Sequence, residues 1–325
     1  MSRVRSGGRM GARAAGLLLG FAADRLWGDP RRGHPVAGFG RVAGALERRW
    51  YADSRPRGVL HCAVLVGAAA GLGIPVRRVR SAPIRIVLTA AATWAVLGGR
   101  SLDREAAAVH RLLADDDLPA ARGRLTHLVG RDTSRLDADE IARAVVESVA
   151  ENTSDAVVAP LFWGAVAGVP GLLGYRAANT LDAMVGHRSP RYRRFGWAPA
   201  RLDDLLNLPG SRLAGLLVAV ASPGRSRVVV RIWRRDAAAH PSPNAGVVEA
   251  AFAGALGVRL GGRNDYAGSI EERAILGDGP RPVPATIPAA RRLASRVGLG
   301  AAAGAALGSV AIDAAVRATG RRSAV

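Results

Sequence analysis

The chain has 325 residues, 49% of them hydrophobic and only 5% aromatic, with 40 glycines and a formal net charge of +20. All 46 basic residues are arginine. The absence of lysine excludes Schiff-base and hence pyridoxal-phosphate chemistry, and it excludes a Walker A phosphate loop.

The arginines are scattered between apolar runs and no nucleic-acid-binding signature appears, so the charge fits loops beside membrane segments better than a nucleic-acid face. A core of Ala, Val, Leu and Gly suits close helix packing in a bilayer. The predicted fold is all-α, a multi-pass membrane domain spanning 1–325. Five apolar stretches are candidates for membrane burial: 14–27, 59–75, 84–99, 156–175 and 296–316. A sixth, 208–222, is short for a span at about 1.5 Å per residue. The N-terminus resembles a signal-peptide start, but Asp24 and Arg25 follow without a cleavage site, so it reads as retained. Cys62, the lone cysteine, lies in an apolar run and reads as packing.

Residues 102–129 read as a polar helical hairpin turning near Asp115–Pro119, within an insertion over 100–154. Asp137 is the expected N-cap of the next helix, with Glu140 completing a capping box. Ile141, Ala144, Val145, Ser148 and Val149 then fall at the spacing of a buried face. Beside that face lies a strip of Glu140, Glu147 and Glu151. Glu147 and Glu151 are like charges at i, i+4, so a compensating cation is expected: Arg131, Arg143 or Mg²⁺. The bland alternative is a solvated acidic face.

Residues 156–175 carry Pro160, Pro170 and several glycines, so this stretch is expected to be kinked or re-entrant. Residues 186–207 read as a loop, 225–239 as a basic helix ending at His240-Pro241, and Ala245–Leu256 as a helix capped by Asn244. Gly261–Gly268 reads as a glycine-rich turn able to approach a phosphate. Residues 317–325 read as a frayed tail, and no β-alternation is long enough to predict a sheet. The arginine turn at Arg77–Arg80 and the N-terminus point to the cytoplasm. Strict alternation would then put 100–154 outside. At least one candidate is expected not to cross: the first, which carries Asp24, or the proline-broken fourth.

Polar constellations sit at the ends of these segments. Asp24 and Asp29 precede His34-Pro35. Glu147, Glu151, Asn152 and Asp155 lead into the 156–175 run, and Arg176, Asn179, Asp182 and His187 follow it. Asp203, Asp204 and Asn207 repeat the carboxylate-plus-amide pattern, then come His240 and Asn244 between prolines, with Glu249 on the helix beyond. Each has a plain structural alternative, such as a capped turn or a local side-chain-to-backbone bond.

In this order, Asp-Arg-Leu-x-Gly-Asp-Pro…His-Pro-Val, Glu-Ser-Val-Ala-Glu-Asn-Thr-Ser-Asp, Tyr-Arg-Ala-Ala-Asn-Thr-Leu-Asp-Ala-Met-Val-Gly-His, Asp-Asp-x-x-Asn and Ser-Pro-Asn-Ala-Gly resemble the CobD/CbiB family of cobalamin biosynthesis, the adenosylcobinamide-phosphate synthases. The resemblance covers about 17–270. It departs at Ala156, where many relatives have Gly, and in the Arg-rich N-terminus. It implies a multi-pass protein of the cell membrane that joins adenosylcobyric acid to (R)-1-amino-2-propanol phosphate, or aminopropanol. Other membrane enzymes of the corrinoid pathway are implied as possible partners, nucleic acid is not, and the corrinoid is substrate and not prosthetic group.

Amide formation from a carboxylate needs activation, and phosphoryl transfer from MgATP is the economical route. Residue type then assigns Glu147, Glu151 and Asp155 to Mg²⁺ and nucleotide, and Asn152 to a phosphate or corrinoid amide. Arg131 and Arg176 are assigned to phosphoryl charge, and His34, His187 or His240 to the amine proton. The active site is expected to face the cytoplasm, and the three central clusters to converge on one pocket. The alternatives are a transporter of a small polar or corrinoid solute, which intramembrane polar residues would suit, and a basic membrane-attached scaffold.

Overall fold

The computed structural model describes residues 2–29, 33–187, 189–266 and 269–322. The predicted Pro30, Gly268 and 323–325 lie outside them. The chain is helical almost throughout: α1 (Ser2–Trp27), α2 (Pro35–Trp50), α3 (Arg55–Arg78), α4 (Ala82–Val96), α5 (Gly99–Ala114), α6 (Leu118–Leu125), α7 (Ala138–Thr153), α8 (Ala159–Ala167), α9 (Val169–Leu181), α10 (Trp197–Ala221), α11 (Ser226–Asp236), α12 (Ala245–Leu256) and α13 (Ile287–Arg322). Four helical segments are long and apolar enough to cross a bilayer: Arg55–Arg78, Ala82–Ala114, Trp197–Ala221 and Pro284–Thr319. The chain is thus an all-helical membrane protein.

Several boundaries differ from the sequence reading. The short 208–222 stretch belongs to the 25-residue α10, which begins at Trp197 and runs through the presumed loop. Pro199 is tolerated in a first turn, and Pro209 removes only one backbone bond. The presumed tail is helical to Arg322. A two-stranded antiparallel sheet, β1 (Leu260–Tyr266) and β2 (Ser269–Leu276), replaces the glycine-rich turn.

The chain forms two compact units. The first comprises 1–98, 159–206 and 301–325, and the second comprises 99–158 and 207–300. The acidic stretch expected in an insertion thus shares its unit with 207–300. In the first unit α1 and α4 run parallel, Gly16 against Thr89 and Gly20 against Thr93, close enough that a Cβ at Gly16 would stand 2.5 Å from Thr89 Cβ. Such small-residue contact is how helices associate when lipid supplies no hydrophobic contrast.

The 156–175 stretch does not form one span. It breaks at Gly168, whose φ of +67° and ψ of −149° suit glycine alone. Gly164 meets Leu172 and Gly171 meets Trp163, so α8 and α9 fold back against each other across the break as a hairpin. α9 then runs antiparallel along α3, Gly73 against Pro170 and Gly174 against Ala70. The predicted reversal is present, at the glycine between the two prolines.

In the second unit α7 is central. Its capping box forms as read: Asp137 Oδ1 accepts from Glu140 N–H at 2.8 Å, and Glu140 Oε2 from Asp137 N–H at 3.0 Å. The predicted apolar face is buried, and so are Ala142, Arg143, Val146 and Glu147. α7 is therefore enclosed nearly all round, and not half-solvated as the strip of glutamates implied.

Candidate functional site

The second unit gathers the acidic motif and the His240–Asn244 segment. Glu147, on buried α7, is 6% exposed, and its charge is met from three sides. Arg131 Nη2 donates to Oε2 at 2.8 Å, Gly261 N–H donates to Oε1 at 2.9 Å, and Arg143 Nη1 lies 3.9 Å from Oε1. Arg143 also donates to the Gly261 carbonyl. Burial is the largest influence on Arg143 and lowers its pKa, against Glu147, which raises it. The expected compensating cation is thus present, supplied by arginine.

Gly261 can do this because it sits opposite a β-bulge, facing both Ala274 and Ile275 of β2. The register slips between Leu260 and Gly262, and Gly261 adopts φ +83°. A Cβ there would strike Ala274 O. In this segment the glycine backbone approaches the Glu147 carboxylate.

One turn on, Glu151 has a reachable surface although protein crowds the volume around it. That crowding is the main cause of its raised pKa, opposed by Arg273 and reinforced by Glu147. Glu249 on α12 is 2% exposed, and its pKa is raised well above the ordinary glutamate range. Desolvation leads, followed by the charges of Glu147 and Glu151, with Arg273 and Arg131 opposing. Three carboxylates therefore share one electrostatic environment, two of them held toward the protonated form.

Asn152 Nδ2 donates to Ser148 O at 3.0 Å and Ser148 Oγ at 3.3 Å. Its Oδ1 is then the atom left to meet a ligand, and a carbonyl oxygen only accepts. Asp155 lies in a π-turn, Ser154–Val158, directly after α7. Such turns recur at functional sites.

His240 is 8% exposed. Its Nδ1 lies 3.0 Å from Ser242 N and 3.3 Å from Ser242 O, and its Nε2 lies 3.7 Å from Glu249 Oε1. The imidazole, expected to take the amine proton, is thus buried beside the Glu249 carboxyl. Asn244 precedes α12 as predicted but does not cap it with its side chain. Ser242 Oγ accepts Ala245 N–H at 3.2 Å, while Asn244 Oδ1 accepts from Ser211 Oγ at 2.9 Å and Arg212 Nη1 at 2.8 Å.

Among the described residues no three His, Cys, Asp or Glu side chains are grouped to hold a metal. Of the three carboxylates expected at a metal, Glu147, Glu151 and Asp155, Glu147 is engaged by Arg131 and Gly261. Arg131, expected to face phosphoryl charge, is paired with Glu147. Arg273, which the sequence reading passed over, is the arginine acting on Glu151.

The first unit holds the other predicted residues. Arg176 Nη1 donates to Asn179 Oδ1 at 3.2 Å, and Asn179 Nδ2 donates to Asp203 Oδ1 at 3.3 Å, joining α9 to α10. Asp182 opens a second π-turn, Asp182–Gly186. His187 is exposed, with its ring edge-on to Tyr192 at 4.9 Å. His34 Nδ1 accepts Val36 N–H at 3.1 Å and caps α2, while its Nε2 lies 3.6 Å from Asp29. Asp24 is fully buried on α1.

Glu249, Arg273 and Asp203 are the residues the sequence reading undervalued. Glu249 had a visible signal, as the single charge in an otherwise apolar twelve-residue helix. Arg273 had none.

Comparison with known proteins agrees with the motif order. The family described as CobD/Cbib protein matches residues 17–294. The chain is similar to "Cobalamin biosynthesis protein CobD" of Mycobacterium tuberculosis H37Rv, 54% identical over 273 residues, covering 83% of this chain and 87% of the relative. The protein of that name from Rhodobacter capsulatus is 45% identical over 284 residues (84% and 90%), and that from Geobacter metallireducens 45% over 280 (83% and 88%). No solved structure matches. Matched by the family over most of its length and by relatives at 45–54% identity, the chain belongs to the CobD/CbiB family.

Proposed function

We propose that this protein acts in cobalamin biosynthesis as an ATP-dependent acid–amine ligase. It joins adenosylcobyric acid to (R)-1-amino-2-propanol phosphate, or aminopropanol, and gives adenosylcobinamide phosphate in the first case. The observation that carries the reading is the carboxylate cluster of a family member. Glu151 and Glu249 are raised by burial and by mutual repulsion with Glu147, an environment short of positive charge. A divalent cation would complete it, and Mg²⁺ needs only one or two carboxylates beside substrate phosphates.

Glu151 and Asp155 are the carboxylates that would hold Mg²⁺. The ATP it accompanies would supply the phosphoryl group that makes the corrinoid carboxylate displaceable by an amine. Arg273, beside Glu151, offsets charge on the transferring oxygens. Asn152 Oδ1 accepts from an N–H, which suits a corrinoid side-chain amide and not a phosphate. Glu147, with Arg131 and Gly261, fixes α7 against β1 so that Glu151 is presented one turn away. His240 positions Glu249. In the first unit, Arg176, Asn179, Asp182 and Asp203 form a second polar set for substrate.

Arginines flank both ends of the first unit: Arg48, Arg49, Arg55, Arg57, Arg191 and Arg194 at the α3 N-terminal end, Arg13, Arg77, Arg85 and Arg317 at the other. Charge bias alone therefore does not orient the chain. The site faces the cytoplasm because ATP is there.

The test is purified protein in detergent given adenosylcobyric acid, aminopropanol phosphate and MgATP, with the product followed by mass spectrometry. A mass corresponding to the new amide, dependent on ATP and the amine, is expected. Intact substrates after prolonged incubation with well-folded protein would overturn the assignment.

A further inference from the structure

A cavity of about 500 Å³ lies within the first unit, beside the tip of the α8–α9 hairpin, away from every motif discussed above. Its charged lining is Arg13, Arg77, Arg85 and Arg317 against a single acid, Asp313. The arginines come from four helices: α1, the last turn of α3, the first turn of α4 and the last third of α13. Asp313 pairs with Arg13 at 2.9 Å, and the charged lining as a whole is four arginines to one acid.

The rest of the wall is apolar, with Ile312 and Val316 on one side and Val166 and Val169 of the hairpin on the other. Outside the cavity, Ile84 and Val87 on α4 are 54% and 64% exposed, and Val316 of the wall is itself 65% exposed. These positions lie at the ends of segments long enough to span, the depth at which headgroup meets acyl chain. A free metabolite phosphate would use the arginines but not this greasy rim. A lipid phosphate with its chains lying along α4 and α13 uses both.

We propose that this cavity binds the phosphodiester headgroup of an anionic phospholipid, of the phosphatidylglycerol class. Binding there bears on the hairpin. Arg13 Nη1 donates to Ala165 O at 2.8 Å, and Arg77 Nη2 to Ala167 O at 2.7 Å, so two of the four arginines hold the C-terminal carbonyls of α8. A bound phosphate relieves the repulsion among these cations and leaves both in place, which steadies the reversal at Gly168.

The test uses the full chain, delipidated in mild detergent, with thermal unfolding followed during titration by phosphatidylglycerol, phosphatidylcholine or inorganic phosphate. Phosphatidylglycerol is expected to raise the melting temperature saturably, and phosphatidylcholine to leave it unchanged. Arg85→Ala/Arg317→Ala, which spares the two hairpin-holding arginines, should weaken the phosphatidylglycerol response at least about tenfold. Should that double variant fold poorly, Arg317→Gln alone and counts of each lipid retained by wild type in native mass spectrometry give the same reading. Equal responses to the two lipids, a variant titrating like wild type, or inorganic phosphate matching phosphatidylglycerol at equal concentration would each overturn the proposal. The last outcome would assign the cavity to a soluble anion.

Discussion

Glu147 and Gly261, 114 positions apart in sequence, are joined by a 2.9 Å bond from an amide opposite a β-bulge to a buried carboxylate. This bond fixes α7 to the sheet of the second unit and separates the roles of two glutamates that look equivalent in the motif.

Glu147→Gln should therefore be a stability variant. It leaves buried Arg131 without its countercharge, with side-chain exposures of 8% for Glu147 and 5% for Arg131. Breaking such a pair costs about 3–5 kcal/mol. Gly261→Ala should cost about 2 kcal/mol or more, from its left-handed φ and the strike on Ala274 O. Thermal unfolding in detergent is the measurement. A Glu147→Gln protein as stable as wild type would return Glu147 to the ligand-binding set.

Glu151→Gln should fold normally and lose amide formation by at least about a hundredfold, since it removes a carboxylate proposed to hold the cation beside the substrate phosphate. Mg²⁺ should raise the melting temperature of wild type at neutral pH by relieving the repulsion around Glu151, and should do so less in the variant. Turnover near wild type in Glu151→Gln would argue that the carboxylate does no more than face solvent.

Glu249 carries a pH signature. Its carboxyl is raised by burial first and by Glu147 and Glu151 next, so the folded state binds this proton more tightly than the unfolded chain. The associated stabilisation is complete below the ordinary glutamate range and is lost as pH rises through the raised value. Without divalent cations, wild type should lose stability as pH rises from the ordinary glutamate range through the raised value, and Glu249→Gln should lose less. Parallel curves for the two proteins would show that Glu249 does not titrate as described.

The hairpin makes a topological prediction. Arg77 Nη2 reaches Ala167 O, so the tip between α8 and α9 lies at the α3 C-terminal end. In a Cys62→Ala background, cysteines at Val166 and at Arg78 should label from the same side of the membrane. Reaction from opposite sides would mean that 156–175 crosses. Gly168→Ala should also cost about 1–3 kcal/mol through its backbone conformation.

Local chemistry was legible in the chain itself. The Asp137–Glu140 box, the polar hairpin near Asp115, the basic helix ending before His240 and the start of α12 follow from capping, periodicity and proline, which act within a few residues. The arginine countercharge to Glu147 was also readable, because a like-charge pair at i, i+4 demands one. Family membership followed from motif order. Tertiary structure decided what depends on partners distant in sequence. Whether Glu147 or Glu151 is buried depends on a bulged sheet more than a hundred residues later, whose glycines looked like a phosphate loop. Arg273 reaches Glu151 from a strand with no local signal. Asn244 occupies its predicted position, but Ser211 and Arg212 take its side chain. The extension of α10 back to Trp197 needed packing that accommodates Asp203 and Asn207 in a helix they would otherwise interrupt. Side-chain roles follow burial and partner geometry, and neither is set by residues close in sequence.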